Sequence, residues 1–272
     1  MSDLSLQLQQ ANTQLAVSSY FDPALYQREM AAIFPGAPRY VGHRLAVPNV
    51  GDYLALEHEG NGRALVHSSR GIELISNVCR HRQAVMLQGR GSSTGSIVCP
   101  LHRWTYDVSG KQPAGTLIGA PHFETDPCLN LQNYKLREWN GLLFEDNGRD
   151  IATEMAHLNA ADLNFEGYVF HKAVAHECHY NWKTFVEVYL EDYHVGPFHP
   201  GLGNFVTCDD LRWEFGPGYS VQTVGVANRL AERQLSAATD ALDEAKARFE
   251  VLIPLNVVTP SVNLPSQKLV LQ

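Results

Sequence analysis

The spacing of apolar and polar residues divides the chain into three stretches of different periodicity. The first, residues 1–39, begins with a polar run and then shows helical spacing over residues 24–34. Asp22-Pro23 is a typical helix start, because Asp can cap the first turn and Pro is favoured at the first helical position. We therefore predict a short helical lead-in.

The second stretch, residues 40–150, consists of short β-type runs separated by glycine-rich turns. A hairpin is predicted around Asn140-Gly141, the strongest short-range hairpin signal in the chain. Earlier strands are predicted at Tyr40–Val47, Tyr53–Glu57, Ala64–Ser68 and Ile72–Val78. This pattern indicates a small all-β domain.

The third stretch, residues 151–272, mixes strand-like and helix-like runs. The pattern predicts a strand over Tyr168–Cys178, a helix over Trp182–Val195 and strands within Val206–Val226. An amphipathic helix is predicted over residues 228–250.

Composition excludes several classes of protein. With 21 basic and 29 acidic residues the net charge is −8, which disfavours nucleic acid or an anionic membrane as the main partner. The hydrophobic fraction of 44% excludes general disorder. Five cysteines do not indicate a disulfide framework, and neither a signal peptide nor an 18-residue apolar run is found, so a cytoplasmic location is expected. Twelve histidines direct attention to metal sites.

Two pairs of candidate metal ligands lie in the β-rich stretch. Cys79 with His81 and Cys99 with His102 are separated by seventeen residues. Two cysteines on one iron and two histidines on the other would hold a 2Fe-2S cluster. Since neutral imidazoles replace two thiolates, such a cluster accepts an electron at a higher potential. A structural zinc site is the alternative, although zinc modules usually pair Cys with Cys and His with His along the chain.

Glu191, His194 and His199 form a second candidate site. Glu191 and His194 are three residues apart and would share one helix face. His194 and His199 are five apart, so an uninterrupted helix would point them in different directions. We predict that Gly196-Pro197 breaks the helix and lets His199 fold back toward the same ion. Two imidazoles and a carboxylate are the ligand set of non-haem Fe(II) oxygenases.

The two Cys/His pairs, followed by Trp104 and Tyr106, resemble the Rieske domain of ring-hydroxylating oxygenases. The segment that begins with Asn-Trp-Lys at residue 181 and runs to His199 is similar to the iron motif of the same family. The resemblance covers residues 20 to 226. It implies an α+β fold class, in which an all-β Rieske 2Fe-2S domain precedes an incomplete helix-grip α+β catalytic domain.

The resemblance also implies the roles of individual residues. The cluster ligands would be Cys79, His81, Cys99 and His102. A mononuclear non-haem Fe(II) would be bound by His194 and His199, and Glu191 would be the catalytic carboxylate that links His194 to His102 of a neighbouring subunit. Asp192 is the rival for that link, or else an exposed helix residue.

The chain departs from the family pattern at three places. Arg103 stands where the family usually has Gly, which we expect to affect the loop surface more than ligation. The other cysteines match nothing in the pattern and are expected to be packed thiols; these are Cys128, Cys178 and Cys208. The third iron ligand of the family, a downstream Asp, has no clear counterpart. Asp240 and Asp243 are the candidates, but charged residues on a solvated helix face are the better interpretation of both. Because the C-terminal region is shortened or divergent, we expect the chain to bind the mononuclear iron weakly or not at all.

The leading functional hypothesis is the terminal oxygenase of a Rieske non-haem iron monooxygenase or dioxygenase. Its partners would be O2, an NAD(P)H-dependent flavin and iron–sulfur reductase or a ferredoxin, an aromatic or small quaternary-amine substrate, and two further copies in a homotrimer. No nucleic acid or membrane partner is expected. The alternatives are an electron-transfer or vestigial protein without a complete mononuclear site, and a zinc-stabilised binding module.

Overall fold

The computed structural model describes residues 15–158, 164–199, 206–216, 219–226, 258–260 and 269–271. The helices are α1 (Pro23–Ala32), α2 (Ile151–Glu154), α3 (Trp182–Tyr189) and α4 (Val195–Phe198). The first eleven strands are β1 (Arg39–His43), β2 (Asp52–Ala55), β3 (Arg63–Ser68), β4 (Gly71–Ser76), β5 (Arg90–Ser92), β6 (Ser96–Val98), β7 (Thr105–Asp107), β8 (Thr116–Gly119), β9 (Asn133–Tyr134), β10 (Leu136–Trp139) and β11 (Leu142–Glu145). The later strands are β12 (His176–Cys178), β13 (Val206–Phe215), β14 (Ser220–Val226), β15 (Val258–Pro260) and β16 (Leu269–Leu271).

Helix α1 begins where the sequence predicts. The Asp22 carboxylate accepts hydrogen bonds from the backbone N–H groups of Ala24 at 2.8 Å and Leu25 at 3.3 Å, and Pro23 occupies the first helical position. These bonds satisfy donors that have no partner within the helix. The helix ends at Ala32, two residues earlier than its apolar spacing predicts.

The β-rich half is built from three antiparallel sheets. A five-stranded sheet has the order β5-β2-β3-β4-β9, and two three-stranded sheets have the orders β6-β7-β8 and β1-β11-β10. One buried core, centred on Tyr106, Ile75 and Trp104, includes both Cys79 and Cys99. The candidate cluster loops are therefore anchored in the main core of this half.

The predicted hairpin at Asn140-Gly141 is confirmed. Asn140 and Gly141 have φ values of 50° and 83°, and β10 pairs with β11 so that Trp139 opposes Leu142. Left-handed φ at both central residues is what a type I′ turn requires, and Asn-Gly supplies it with little strain.

Two predicted strands are too long. Only Arg39–His43 of the first one is extended, because the His43 side chain accepts the Leu45 N–H at 3.1 Å and starts a 3-10 turn at Arg44–Ala46. In the strand predicted over Tyr168–Cys178, only His176–Cys178 pairs with another strand. The other predicted strands agree with the structure to within a few residues.

The third stretch carries the elements around the second candidate site. Strands β13 and β14 form an antiparallel pair, as the sequence predicts, and β12 pairs with β16. The amphipathic helix predicted over residues 228–250 lies outside the described residues. Within the described parts of the chain, no helix has the length and apolar character needed to cross a membrane.

Candidate metal centres

The first cluster loop is a tight turn that starts at a buried cysteine. The Cys79 carbonyl accepts the Gln83 N–H at 2.9 Å, and the Cys79 N–H donates to the Ala84 carbonyl at 2.9 Å. Gln83 has a φ of 56°, which turns the chain back toward the core. His81 lies within this turn, between the two residues that the Cys79–Gln83 hydrogen bond joins.

The second cluster loop repeats this construction. The Cys99 carbonyl accepts the Arg103 N–H at 3.1 Å, and the Cys99 N–H donates to the Trp104 carbonyl at 2.7 Å. Arg103 takes the left-handed position with a φ of 63°. The departure from Gly at this position therefore affects the backbone as well as the loop surface, since left-handed φ is costly for a residue with a Cβ.

Replacing Arg103 by Gly is accordingly expected to stabilise the protein by roughly 1 kcal/mol, the cost of left-handed backbone in a non-glycine residue. Urea unfolding followed by cluster absorbance measures the change. Arg82→Gly is the matched control on the other loop, because Arg82 is not among the residues with positive φ. A stabilisation that is equal in both variants would contradict the backbone explanation.

The loops bury both sulfur ligands and leave one nitrogen ligand, His102, at the surface. Cys79 and Cys99 are 1% and 2% exposed and are free thiols, whereas His102 is exposed at the surface. The rings of His81 and His102 are 4.6 Å apart. The structure thus brings the two predicted imidazole ligands next to each other and places both predicted cysteine ligands in one core.

The orientation of His81 fits a metal ligand. Its ring stacks on Trp104 with a centroid distance of 5.0 Å and an interplanar angle of 7°, and Phe123 lies 5.6 Å away. Its Nδ1 atom is buried and has no hydrogen-bond partner. A buried nitrogen without a partner is costly unless something else occupies its lone pair, and an iron ion would do so.

The arrangement also bears on zinc as the alternative. A structural zinc ion needs four ligands around one point, whereas each iron of a 2Fe-2S cluster needs only two protein ligands because sulfide supplies the others. Among the described residues, no three His, Cys, Asp or Glu side chains are grouped so that they could hold a single metal ion. The order Cys, His, Cys, His along the chain, with both cysteines buried and His102 at the surface, fits the cluster better than a zinc site.

Tyr106 is a neighbour of the cluster that the sequence analysis gave no role. Its side chain is fully buried, its hydroxyl lies 3.5 Å from Cys79 Sγ, and it accepts the Arg80 N–H at 3.1 Å. Burial, and then the hydrogen bond to Cys79, raise the pKa of Tyr106, so the hydroxyl stays protonated and can donate to the thiolate. Only the fold brings residues 79 and 106 into contact.

Tyr106→Phe is expected to lower the reduction potential of the cluster by roughly 50 mV, because a hydrogen bond to the thiolate stabilises the more negative, reduced state by about 1 kcal/mol. Redox titration of the cluster EPR signal measures this. Tyr53→Phe is the control, since Tyr53 packs against the same core but contacts neither cysteine in any described bond. An unchanged potential in Tyr106→Phe would contradict the hydrogen bond.

The predicted helix over Trp182–Val195 is wrong in its extent. Helix α3 ends at Tyr189, and a turn leads to the separate short helix α4. The Glu191 carboxylate accepts the His194 N–H at 3.2 Å, a bond that a continuous helix would give to a carbonyl four residues earlier. Gly196-Pro197 does not break a helix but lies in the first turn of α4, where proline is tolerated because its missing N–H has no acceptor there.

The turn nevertheless brings the predicted residues together. Glu191 Oε1 lies 2.5 Å from His194 Nδ1, and the rings of His194 and His199 are 5.4 Å apart. Since an ionised carboxylate can only accept, Nδ1 carries the hydrogen and Nε2 keeps a free lone pair. A histidine held in this way by a carboxylate is typical of metal ligands. His194 and His199 fit two of the ligands of a mononuclear iron site, and Glu191 fits a carboxylate that orients His194.

Several other predictions are corrected or stay open at this site. Asp192 is buried at 8% exposure, so the expectation of an exposed helix residue is wrong. Cys128 is exposed and Cys178 is half-buried, contrary to the expectation of packed thiols. The side chains of Cys208, Asp240 and Asp243 lie outside the described residues.

Two family models match this chain. The Rieske 2Fe-2S domain matches residues 38–130, and the ring hydroxylating alpha subunit (catalytic domain) matches residues 165–254. These matches confirm the predicted fold class and the two predicted cofactors, a 2Fe-2S cluster and a mononuclear iron. The domain boundaries at residues 39 and 150 stay predictions.

Curated relatives extend the similarity. The chain is 59% identical over 229 residues to putrescine 2-hydroxylase of Ralstonia nicotianae, covering 83% of this chain and 61% of the relative. The putrescine 2-hydroxylase of Bordetella bronchiseptica is 55% identical over 82% of this chain and 54% of the relative. The carnitine monooxygenase oxygenase subunit of Escherichia coli is 29% identical over 70% of this chain and 53% of the relative. The chain thus spans between half and two thirds of the length of these relatives.

Solved structures show the same fold. A quaternary ammonium Rieske monooxygenase in complex with an inhibitor has a TM-score of 0.61 at 23% identity and covers 77% of this chain and 61% of that chain. Naphthalene 1,2-dioxygenase from Rhodococcus sp. has a TM-score of 0.58 at 18% identity and covers 92% of this chain and 66% of that chain.

Proposed function

We propose, from the premise that this chain belongs to the Rieske non-haem iron oxygenases, that it acts as the oxygenase component that hydroxylates a small aliphatic amine. The observation that carries the proposal is the 59% identity to a putrescine 2-hydroxylase over 83% of this chain. Putrescine, a primary diamine, is therefore the first substrate to test, ahead of the aromatic and quaternary-amine classes.

The geometry of the two sites supports a role for each of their residues. Cys79, His81, Cys99 and His102 would hold the cluster, and His194 and His199 the mononuclear iron. When bound, the cluster passes single electrons and the mononuclear iron activates dioxygen. The buried Cys79 and Cys99 would hold the cluster away from water, and the exposed His102 would place one of its ligands at the surface.

Glu191 would keep the ring hydrogen of His194 on its Nδ1 atom. Its carboxylate fixes the hydrogen of His194 on Nδ1 and orients the ring. The second carboxylate oxygen accepts the His194 N–H, so the side chain cannot rotate without losing a bond. We propose that the chain forms a homotrimer in which this carboxylate also contacts His102 of a neighbouring copy. Analytical ultracentrifugation tests the trimeric state.

Activity is tested with the protein, NAD(P)H and an iron–sulfur flavoprotein reductase as electron donor. We expect putrescine-dependent O2 uptake and a product that gains one oxygen atom, which is labelled when 18O2 is supplied. His102→Ala is the control, because it removes one cluster ligand and leaves the second site untouched. A cluster that is reduced and reoxidised with no product from putrescine, carnitine or naphthalene would favour the electron-transfer alternative.

Metal analysis tests the cofactor assignment independently of activity. We expect brown protein with two irons and two acid-labile sulfides per chain from the cluster, and any further iron to depend on His194 and His199. One equivalent of zinc without sulfide would overturn the cluster. A cytoplasmic location of the enzyme remains part of this proposal and calls for cell fractionation.

A further inference from the structure

The N-terminal segment contacts the helix that leads into the second metal site. The Glu29 carboxylate on α1 accepts two hydrogen bonds from Lys183 Nζ, at 2.7 Å and 2.6 Å, and one from Trp182 Nε1 at 3.1 Å. Glu29 and Lys183 are 154 positions apart in the sequence. The contact therefore holds α1 next to α3, two helices that lie far apart in the sequence.

This ion pair is shielded from water. The Lys183 and Glu29 side chains are 8% and 12% exposed, and Lys183 Nζ lies 5.2 Å from the centre of the Trp182 ring. A charge this deeply buried must stay close to its counter-charge, since at 8% exposure water can solvate the ammonium group only slightly. The pair consequently restricts the distance and direction between α1 and α3.

A second set of contacts restricts the rotation of α3. The Tyr20 carbonyl accepts the Nδ2 hydrogen of Asn181, the residue that caps α3, at 3.2 Å, and the Tyr20 hydroxyl donates to Glu187. Lys183 and Glu187 are four residues apart and so lie on one face of the helix. Two points along that face are held by the N-terminal segment.

Helix α3 leads directly into the metal-site turn. It ends at Tyr189, and Glu191 and His194 follow within five residues. Because the turn continues from the last residue of the helix, rotating or shifting α3 would move Glu191 and His194 together. The orientation of the candidate iron ligands therefore depends on contacts made one to two helical turns earlier.

We infer that Glu29 and Lys183 form a positioning pair for the mononuclear iron site, through which the N-terminal helix sets the placement of Glu191 and His194. This inference rests on the proposed function. Neither residue is one of the candidate iron ligands, so both would act through helix α3. The segment over residues 1–39 then belongs functionally to the catalytic half and is more than a lead-in.

A double-mutant cycle on metal affinity tests the pair. Glu29→Gln and Lys183→Met keep the approximate size of each side chain and remove its charge. Anaerobic calorimetric titration with Fe(II), on protein whose cluster is already assembled, gives the affinity of the second site. We expect each single variant to bind Fe(II) roughly tenfold more weakly than wild type. This is the lower end of the loss in metal affinity that is typical when a residue supporting the ligands is replaced. The Fe(II) affinity of the double variant should be no lower than that of the more affected single variant, since each substitution removes the same Glu29–Lys183 contact.

The controls separate positioning from general stability. Glu138→Gln breaks the exposed Arg44–Glu138 pair, which has a similar distance of 2.9 Å, and should leave Fe(II) affinity unchanged. The cluster absorbance reports folding of the Rieske half in every variant. If a single variant is too unstable to titrate, the double variant decides, because it buries no unpaired charge.

Three results would overturn the inference. Fe(II) affinities within twofold of wild type, together with a lower Tm, would show that the pair only stabilises the fold. Losses that multiply in the double variant would show that the two residues act separately. Wild-type protein that binds no more Fe(II) than His199→Ala would overturn the mononuclear site of the proposed function itself, and the positioning role with it.

Discussion

Asn77→Asp is expected to destabilise the protein by about 3–5 kcal/mol and to prevent stable assembly of the cluster. Asn77 is completely buried, and its Nδ2 group donates to the carbonyls of Asn61 at 2.9 Å and Leu87 at 2.7 Å. Its Oδ1 accepts the Leu87 N–H at 2.8 Å. Aspartate has the same shape but no donors, so it would place a buried carboxylate against two carbonyl oxygens.

The effect should reach the cluster because Asn77 lies two residues before Cys79. The side chain connects the start of the first cluster loop with its return at Leu87, and the Met86 N–H donates to the Asn77 carbonyl at 3.0 Å. Urea unfolding and iron content per chain measure the two effects. The matched control is Asn130→Asp, since Asn130 uses only its Oδ1, as acceptor for the Leu117 N–H. If both variants are equally stable and keep full cluster content, Asn77 does not hold the loop.

Glu191→Gln is expected to leave the metal content of the protein unchanged and to slow reoxidation of the reduced cluster by roughly 10- to 100-fold. Glutamine keeps an oxygen for the His194 N–H but loses the charge that fixes the hydrogen on His194 Nδ1. The rate is measured by stopped-flow absorbance after mixing reduced protein with substrate and O2. Iron content of the variant confirms that electron arrival, and not metal loss, has changed.

Asp192→Asn is the comparison for this experiment. Asp192 is buried and follows Glu191 in the chain. Its backbone carbonyl accepts the Val195 N–H at 3.0 Å, at the start of helix α4. We expect at most a small change in the reoxidation rate. A normal rate in Glu191→Gln together with a slow rate in Asp192→Asn would assign the link between subunits to Asp192.

The sequence by itself determined the features that depend on neighbouring residues. The Asp22-Pro23 helix start, the Asn140-Gly141 hairpin and the Cys/His spacing of both cluster loops were predictable, because capping, turn formation and pairing of ligands on one loop act over a few residues. The resemblance of these motifs to Rieske oxygenases then supplied the domain order and the cofactors.

Tertiary structure decided what depends on burial and on partners distant in sequence. Tyr106 reaches Cys79, and Lys183 reaches Glu29, only because packed sheets and helices bring together residues 27 and 154 positions apart. Helix α3 ends at Tyr189, and the Glu191 carboxylate in the following turn takes the His194 N–H, a side-chain contact that apolar spacing does not record. Sequence spacing reports the local preferences of the backbone, whereas the contacts of a buried polar group depend on which distant atoms the fold places within hydrogen-bond reach.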